Sequence, residues 1–341
     1  LSPSILEERE GPMTRETIIA ALAAIAVAAG AVPAGAQDKV SFGTDWRAQA
    51  EHGCFYQAQA AGIYREHGLD VTIRQGGPNL NHRQLMINGA LDFNMGSNAY
   101  GALNFAKEGI PMVAVAAMFQ KLPAVLIAHP GVGNDGFEAL KGKPILISTD
   151  ARATWWLFLK QRFGYTDAQV RPYTFNSAPF LADRNAVQQG YLSSEPFSIE
   201  REGRFKPVVM LVADAGFASY STLVETSERM VREKPDVVQR FVDASIKGCY
   251  GYHYGNPSAA NALIKRDNPE MNDELLAYGL ARMNEHGIVD SGDTKALGIG
   301  AMTEARWKEF FDSTVAAGVY PATLDWRKAF TTRFVNKRTG I

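Results

Sequence analysis

The chain of 341 residues has two cysteines, Cys54 and Cys249, and six histidines. No cysteine pair has zinc or redox spacing. No Gly-x-Ser-x-Gly, His-Glu-x-x-His or P-loop pattern occurs, which lowers the prior for a hydrolase, a metalloprotease or a nucleotide hydrolase. Charge of one sign is also missing: 35 Lys and Arg face 36 Asp and Glu. A basic excess of the kind nucleic-acid binding requires is therefore absent. Beyond residue 36 no apolar run is long enough to span a bilayer. With two distant cysteines, separate buried thiols are expected, a disulfide in an oxidising compartment being the alternative.

The first 36 residues read as an export signal. Arg15 follows a start at Met13, an alanine-rich apolar run covers Ile18 to Val32, and Ala34-Gly35-Ala36 offers the small residues of a cleavage site. Residues 1–12 read as upstream sequence. No lipoprotein cysteine follows, so a free periplasmic protein is expected. Removing the leader leaves roughly 300 residues, near the size where one core gives way to two lobes.

From Lys39 the pattern alternates between strand and helix. Lys39–Thr44, Leu69–Arg74, Leu91–Met95 and the wholly apolar Met112–Met118 read as strands, with helices at Gly53–His67, Asn81–Asn88 and Ala99–Lys107 between them. That order predicts a parallel sheet covered on both faces. A second unit comes next. Its strands are Ala124–His129, Pro144–Ser148, Val170–Thr174 and Val208–Leu211, with helices at Ala151–Phe163 and around Phe180–Val187. Beyond Glu225 the chain reads as helices: Pro235 stands at a first helical position, and Met271–His286 and Thr303–Gly318 are amphipathic. The expected lobes are 38–120 plus 222–341 and 121–221, with crossings at Gln120–Pro123 and Ala213–Ser221.

Ligands of such sheets lie beyond the carboxyl ends of strands, which singles out the loops there. Trp46, just past the first strand, can be a flat platform for a planar ligand, and His52 can donate to a ligand or orient the next helix. Gly76-Gly77-Pro78 lets backbone approach a ligand. Ser97 and Asn98 are N-cap residues whose neighbouring N–H groups could also hold a polar ligand group. Of Trp155 and Trp156, at most one faces a cleft. Arg152, in a first helical turn, opposes the helix dipole and is a candidate anion ligand. Tyr191 and Glu195 follow another strand-like stretch, and Glu195 could accept from ligand amino groups.

Thr44-Asp45-Trp46, His52-Gly53-Cys54-Phe55-Tyr56-Gln57-Ala58 and Gly62-Ile63-Tyr64-Arg65-Glu66-His67-Gly68-Leu69-Asp70-Val71 together resemble the opening of the periplasmic binding proteins for thiamine pyrimidine precursors. That group includes riboflavin, nitrate, taurine and alkanesulfonate binders. The resemblance continues through Gly89–Phe93, Gly109–Met112, Leu140–Lys143, Glu195-Pro196 and Lys234–Val238. It implies a two-lobed α/β fold of periplasmic binding protein type II, the Venus flytrap, with C-terminal helices. It further implies stacking by Trp46, first-lobe contacts from His52, Ser97 and Asn98, and a second-lobe contact from Glu195. Arg47–Ala50 departs from the proline-containing stretch of the pyrimidine binders, and Ser148–Thr154 matches no one subgroup, which leaves the ligand open.

The expected function is the solute receptor of an ABC importer, a monomer that delivers a small planar heterocycle to an inner-membrane permease without bond chemistry, cofactor or metal. One alternative is a receptor for sulfonates or other small anions. Another is a pyrimidine-precursor synthase-like enzyme using pyridoxal phosphate. The synthases carry a cofactor lysine after the third strand, where Ser97 stands here, and a cysteine-rich run that this chain lacks.

Overall fold

The computed structural model describes residues 37–77 and 80–341. The expected export signal lies outside the described residues, as does Pro78. Among the described residues no helix is long and apolar enough to cross a membrane, and Asp38–Ile341 cohere as one unit.

Among the described residues ten strands form two mixed sheets. The first has the order β2-β1-β3-β10-β4, built from β1 (Asp38–Gly43), β2 (Leu69–Arg74), β3 (Phe93–Asn98), β4 (Met112–Phe119) and β10 (Ser221–Ser227). The second has the order β7-β6-β8-β5-β9, from β5 (Ala124–Ala128), β6 (Ile145–Ile147), β7 (Val170–Pro172), β8 (Val187–Tyr191) and β9 (Val208–Leu211). The chain passes from the first sheet to the second after β4 and returns before β10.

The strand and helix alternation predicts a parallel sheet, and neither sheet is all parallel. β10 inserts antiparallel between β3 and β4, and β5 runs antiparallel to β8 and β9. The inserted strand reads Ser-Thr-Leu-Val-Glu-Thr-Ser, and no local signal says where a strand returning from so far will pair. β4 is buried along its whole length, as expected of a strand covered on both faces.

Five helices carry or flank the loops at the strand ends: α1 (Gly53–Ala60), α2 (His82–Ile87), α3 (Ala99–Glu108), α4 (Thr149–Ala153) and α5 (Trp155–Phe163). The expected helix over Gly53–His67 is split, because Gly62 takes a left-handed φ of 75° and restarts a short turn at Ile63–Glu66. The expected helix around Phe180–Val187 is instead a short helix, Ala178–Ala182, followed by β8. The third strand begins two residues late and runs through Ser97 and Asn98, so α3 follows it without a loop. α4 and α5 break at Thr154.

Among the C-terminal helices α6 (Pro235–Tyr254) has Pro235 in its first turn and packs across α1. A Cβ added to Gly248 would lie 2.2 Å from the Cys54 carbonyl oxygen, and one added to Gly53 would meet the Tyr252 ring. These two glycines let the helices approach to a Cα–Cα distance of 4.0 Å at Cys54 and Cys249, which are disulfide-bonded. The expectation of separate thiols is thus corrected: sequence spacing carried no information about this contact.

Both crossings are tied to the helix Glu304–Ala316 by one side chain. Arg306 donates from Nε to Ala218 O (3.2 Å) and from Nη1 to Gln120 Oε1 (3.1 Å), and its Nη2 reaches Gln120 O. The same guanidinium lies 4.4 Å from the Tyr220 ring centroid, a cation–π contact. One side chain thereby ties both crossings between the sheets to the same C-terminal helix.

The disulfide closes a loop of 195 residues. In the chain-entropy account such a long loop stabilises through the unfolded state, typically by about 2–4 kcal/mol. Cys249→Ala should lower stability by that order in urea unfolding under oxidising conditions, and dithiothreitol should reproduce the loss in the parent. Equal midpoints with and without reductant would show that the bond contributes nothing.

Candidate functional site

The carboxyl ends of β1, β3, β6, β7 and β8 bring together the loops from which the site is built. Past β1, the chain turns through Thr44, Asp45 and Trp46. Thr44 Oγ1 donates to Trp46 O (2.7 Å), and Gly76 N–H donates to Trp46 O (3.0 Å). A Cβ on Gly76 would lie 2.4 Å from Thr44 O, so only glycine permits this approach. Gly76 therefore serves to pin the turn that carries Trp46, and its closest partner is protein backbone.

Asp45 is held by two side chains. Ser97 Oγ donates to its Oδ2 (2.7 Å), and His52 Nε2 lies 3.4 Å from its Oδ1. The Gln49 backbone N–H donates to His52 Nδ1 (3.0 Å), which leaves the ring hydrogen on Nε2, facing Asp45. Burial pushes the Asp45 carboxyl up. The His52 hydrogen bond, the electrostatic influence of the His52 and His82 rings and the Ser97 hydrogen bond outweigh that and hold it below the ordinary carboxylate range. His52 is fully buried with both ring nitrogens committed to protein, so it orients Asp45.

Asn98 is buried as the N-cap of α3, its Oδ1 accepting from Tyr100 N–H (3.1 Å). Helix capping thus accounts for that oxygen, whereas Ser97 joins the cleft through Asp45.

The second sheet contributes Tyr191, Glu195, Asp150 and Phe175. Tyr191 N–H donates to Glu195 Oε2 (2.8 Å), which also accepts from Ser194 Oγ. The Tyr191 hydroxyl is pushed well above its ordinary value by burial, then by the charges of Asp45, Asp150, Glu51 and Glu195. It stays protonated, ringed by carboxylates. Asp150, in the first turn of α4, is open to solvent by area but desolvated by the protein around it. That desolvation raises its carboxyl, against the charge of Arg83 and with the charge of Asp45. Carboxylates therefore dominate this space.

Trp46 is half-buried, and across the cleft its ring meets Phe175, with centroids 4.7 Å apart and planes tilted by 44°. Phe175 is 49% exposed and sits at φ 60°, a conformation rare for a bulky residue. Tyr173 packs on its other side at 5.2 Å. Backbone strain of this kind clusters at functional sites. Sequence reasoning had missed Phe175, whose signal would have been an aromatic just past a strand end.

Arg152 does not join this group. It is exposed in the last turn of α4, where a cation suits the helix dipole, so its expected first-turn position is corrected. Its charge acts on Asp167, whose carboxyl is held low mainly by hydrogen bonds from Trp156 and Lys160. Trp155 and Trp156 are both buried, the latter donating to Asp167 (2.9 Å). A cavity of about 490 Å³ among Pro196, Lys206, Tyr278 and Arg282 lies apart from the Trp46–Tyr191 group, with mixed charges in its wall.

With the geometry in place, the comparisons with known proteins decide the family. Residues 49–260 match the NMT1/THI5 like family. The chain belongs to that family. The riboflavin-binding protein RibY of Chloroflexus aurantiacus is 25% identical over 289 residues, 82% of this chain and 81% of that protein. The 4-amino-5-hydroxymethyl-2-methylpyrimidine phosphate synthase THI11 of Saccharomyces cerevisiae is 27% identical over 109 residues, 32% of each chain. The structure of the periplasmic aliphatic sulphonate binding protein SsuA from Escherichia coli superimposes with a TM-score of 0.65 at 11% identity, covering 86% of this chain and 91% of that one. The two-lobed periplasmic-binding-protein fold is thereby established, and the relative matched along most of its length is a binding protein.

One more carboxylate joins the two sheets' loops: Glu51, fully buried, accepts from Ser193 Oγ, while its Oε2 has no hydrogen-bond partner among the described residues. Burial raises its carboxyl, partly offset by His52 and Ser193, with Glu195 adding to the rise. An acid whose folded pKa is raised destabilises the fold when ionised. That penalty is full above the raised value and absent below the ordinary carboxylate range. Glu51→Gln should therefore raise the melting temperature at pH 8, with the gain shrinking toward pH 4. A gain independent of pH would rule out the buried charge as its cause.

Proposed function

We propose that this protein is the solute receptor of an ABC importer, and that it captures a small planar heterocycle carrying N–H or O–H donors. The observation that carries the reading is the Trp46–Phe175 aromatic pair beside the ionised Asp45. Aromatic faces suit a planar ring, and a carboxylate can only accept hydrogen bonds, so it selects a donor. An aminopyrimidine precursor or a flavin satisfies both demands. Tyr191 and Glu195 supply the second-lobe contacts, with Trp46 and Asp45 as first-lobe contacts and Ser97 and His52 holding Asp45. The lobes are 38–120 with 222–341, and 121–221, closing about the crossings that Arg306 anchors. A ligand touching both lobes favours the closed state by its differential affinity.

The sulfonate alternative is the weaker reading. Asp45, Asp150, Glu51 and Glu195 all act on Tyr191, and an anion there would meet like charge. The synthase alternative also fits poorly. Ser97 offers no amine for an imine and spends its hydroxyl on Asp45, and the cofactor's phosphate would face the same carboxylates. The Cys54–Cys249 bond suits an oxidising compartment, in keeping with export to the periplasm.

Base–aromatic stacking is worth about 1–3 kcal/mol per ring. Trp46→Ala should thus weaken binding of 4-amino-5-hydroxymethyl-2-methylpyrimidine or riboflavin, whichever the parent takes, by about 5- to 150-fold in calorimetric titration. Asp45→Asn, which turns an acceptor-only group into a mixed one, should weaken it as well. Unchanged affinity in both variants would remove this cleft from the binding site.

A further inference from the structure

Next to Asp45 lies a second polar chain that the proposed ligand contacts leave unused. Asn94 on β3 and Glu225 on β10 stand opposite each other in the antiparallel register, and both are fully buried. Asn94 Nδ2 donates to Glu225 Oε2 (2.8 Å). Because a carboxylate only accepts, this bond fixes the amide and turns Asn94 Oδ1 outward. His82, the first residue of α2, places Nδ1 2.6 Å from that oxygen. An amide oxygen also only accepts, so His82 must carry its hydrogen on Nδ1. The arrangement is crowded into place. A Cβ on Gly96 would lie 2.3 Å from Glu225 Oε1, and Arg83 Nε sits 3.6 Å from Glu225 Oε2 as the counter-charge.

We infer that His82 is a ligand-contacting, specificity-determining residue: the Glu225–Asn94 relay locks its Nδ1–H tautomer and leaves Nε2 as a bare acceptor in the cleft. Its position is fixed by the Asn94 bond at the carboxyl end of the first sheet, and its ring lies within electrostatic reach of both Asp45 and Asp150, one from each wall. The half-buried ring then offers a ligand ring N–H, amino or hydroxyl group an acceptor without a negative charge. His52 is locked the other way. Its Nδ1 accepts from Gln49 N–H and its Nε2–H faces Asp45. Two histidines of one site thus hold opposite tautomers, one spent on a protein carboxylate and one presented to the ligand. The inference rests on the cleft being the ligand site, but the tautomers can be read without any ligand.

The test uses 15N-labelled full-length protein and two-bond 1H–15N correlation spectra at pH 8, with His82→Asn and His52→Gln to assign the rings. The expected pattern is Nδ1–H at His82 and Nε2–H at His52, and Nε2–H at His82 overturns the relay. Affinity separates a contact from a structural role. His82→Asn keeps a donor for Asn94 while removing Nε2, and should cost about tenfold in affinity for 4-amino-5-hydroxymethyl-2-methylpyrimidine or riboflavin, the worth of one hydrogen bond, with an unchanged melting temperature. Parent-like affinity in that variant overturns the ligand role even if Trp46→Ala still weakens binding. Parent protein that binds neither probe overturns the ligand role together with the reading it rests on, and the spectra then decide the relay alone.

Discussion

Asp45 is a carboxylate enclosed by protein at the end of β1 and kept ionised there, and that condition shapes everything placed around it. Burial alone would drive the proton back onto the group. His52 and Ser97 prevent this by donating to its two oxygens. His52 can do so only because Gln49 N–H occupies its other nitrogen, and Ser97 only because β3 runs three residues further than its apolar stretch suggests. Gly76 then lets the β2 loop close over the Asp45–Trp46 turn and fix the indole beside the carboxylate. A donor-seeking charge and a flat apolar face are thus set side by side before any ligand arrives.

The second sheet completes this arrangement from the opposite side. Phe175 holds an unfavourable backbone conformation and presents its ring to Trp46, and Tyr191 keeps its proton among four carboxylates. On the proposed reading an anion would gain little from such a site, whereas a planar molecule with N–H groups would find acceptors beside an aromatic surface. The crossings between the two sheets are set independently. Arg306 grips backbone of both crossings, and the C-terminal helices brace the first sheet through the α1–α6 contact at the disulfide.

How much of this was legible in the sequence depended on whether the signal was local. The strand and helix alternation, Pro235 at a helix start and Trp46 at a strand end each follow from a few neighbouring residues. The insertion of β10 between β3 and β4 does not, because pairing is decided by partners more than a hundred residues away. The same holds for Cys54 and Cys249, whose contact depends on Gly53 and Gly248 letting two helices approach. His82 and Arg83 read as the first turn of an ordinary helix, and Phe175 as the tail of a weak strand. His52 was visible as a site residue, but its sequence left open whether it served the ligand or the protein. Arg152 looked like an anion ligand only because the break at Thr154 was not visible, and that break puts it in a last turn.

The most direct test of the central claim is a calorimetric comparison on one sample of the protein, titrated with 4-amino-5-hydroxymethyl-2-methylpyrimidine, riboflavin and a short alkanesulfonate at equal ionic strength. The account predicts saturable binding of at least one planar heterocycle and none of the sulfonate. Saturable sulfonate binding with no response to either heterocycle would contradict it, because four carboxylates around Tyr191 could not then define the ligand's charge.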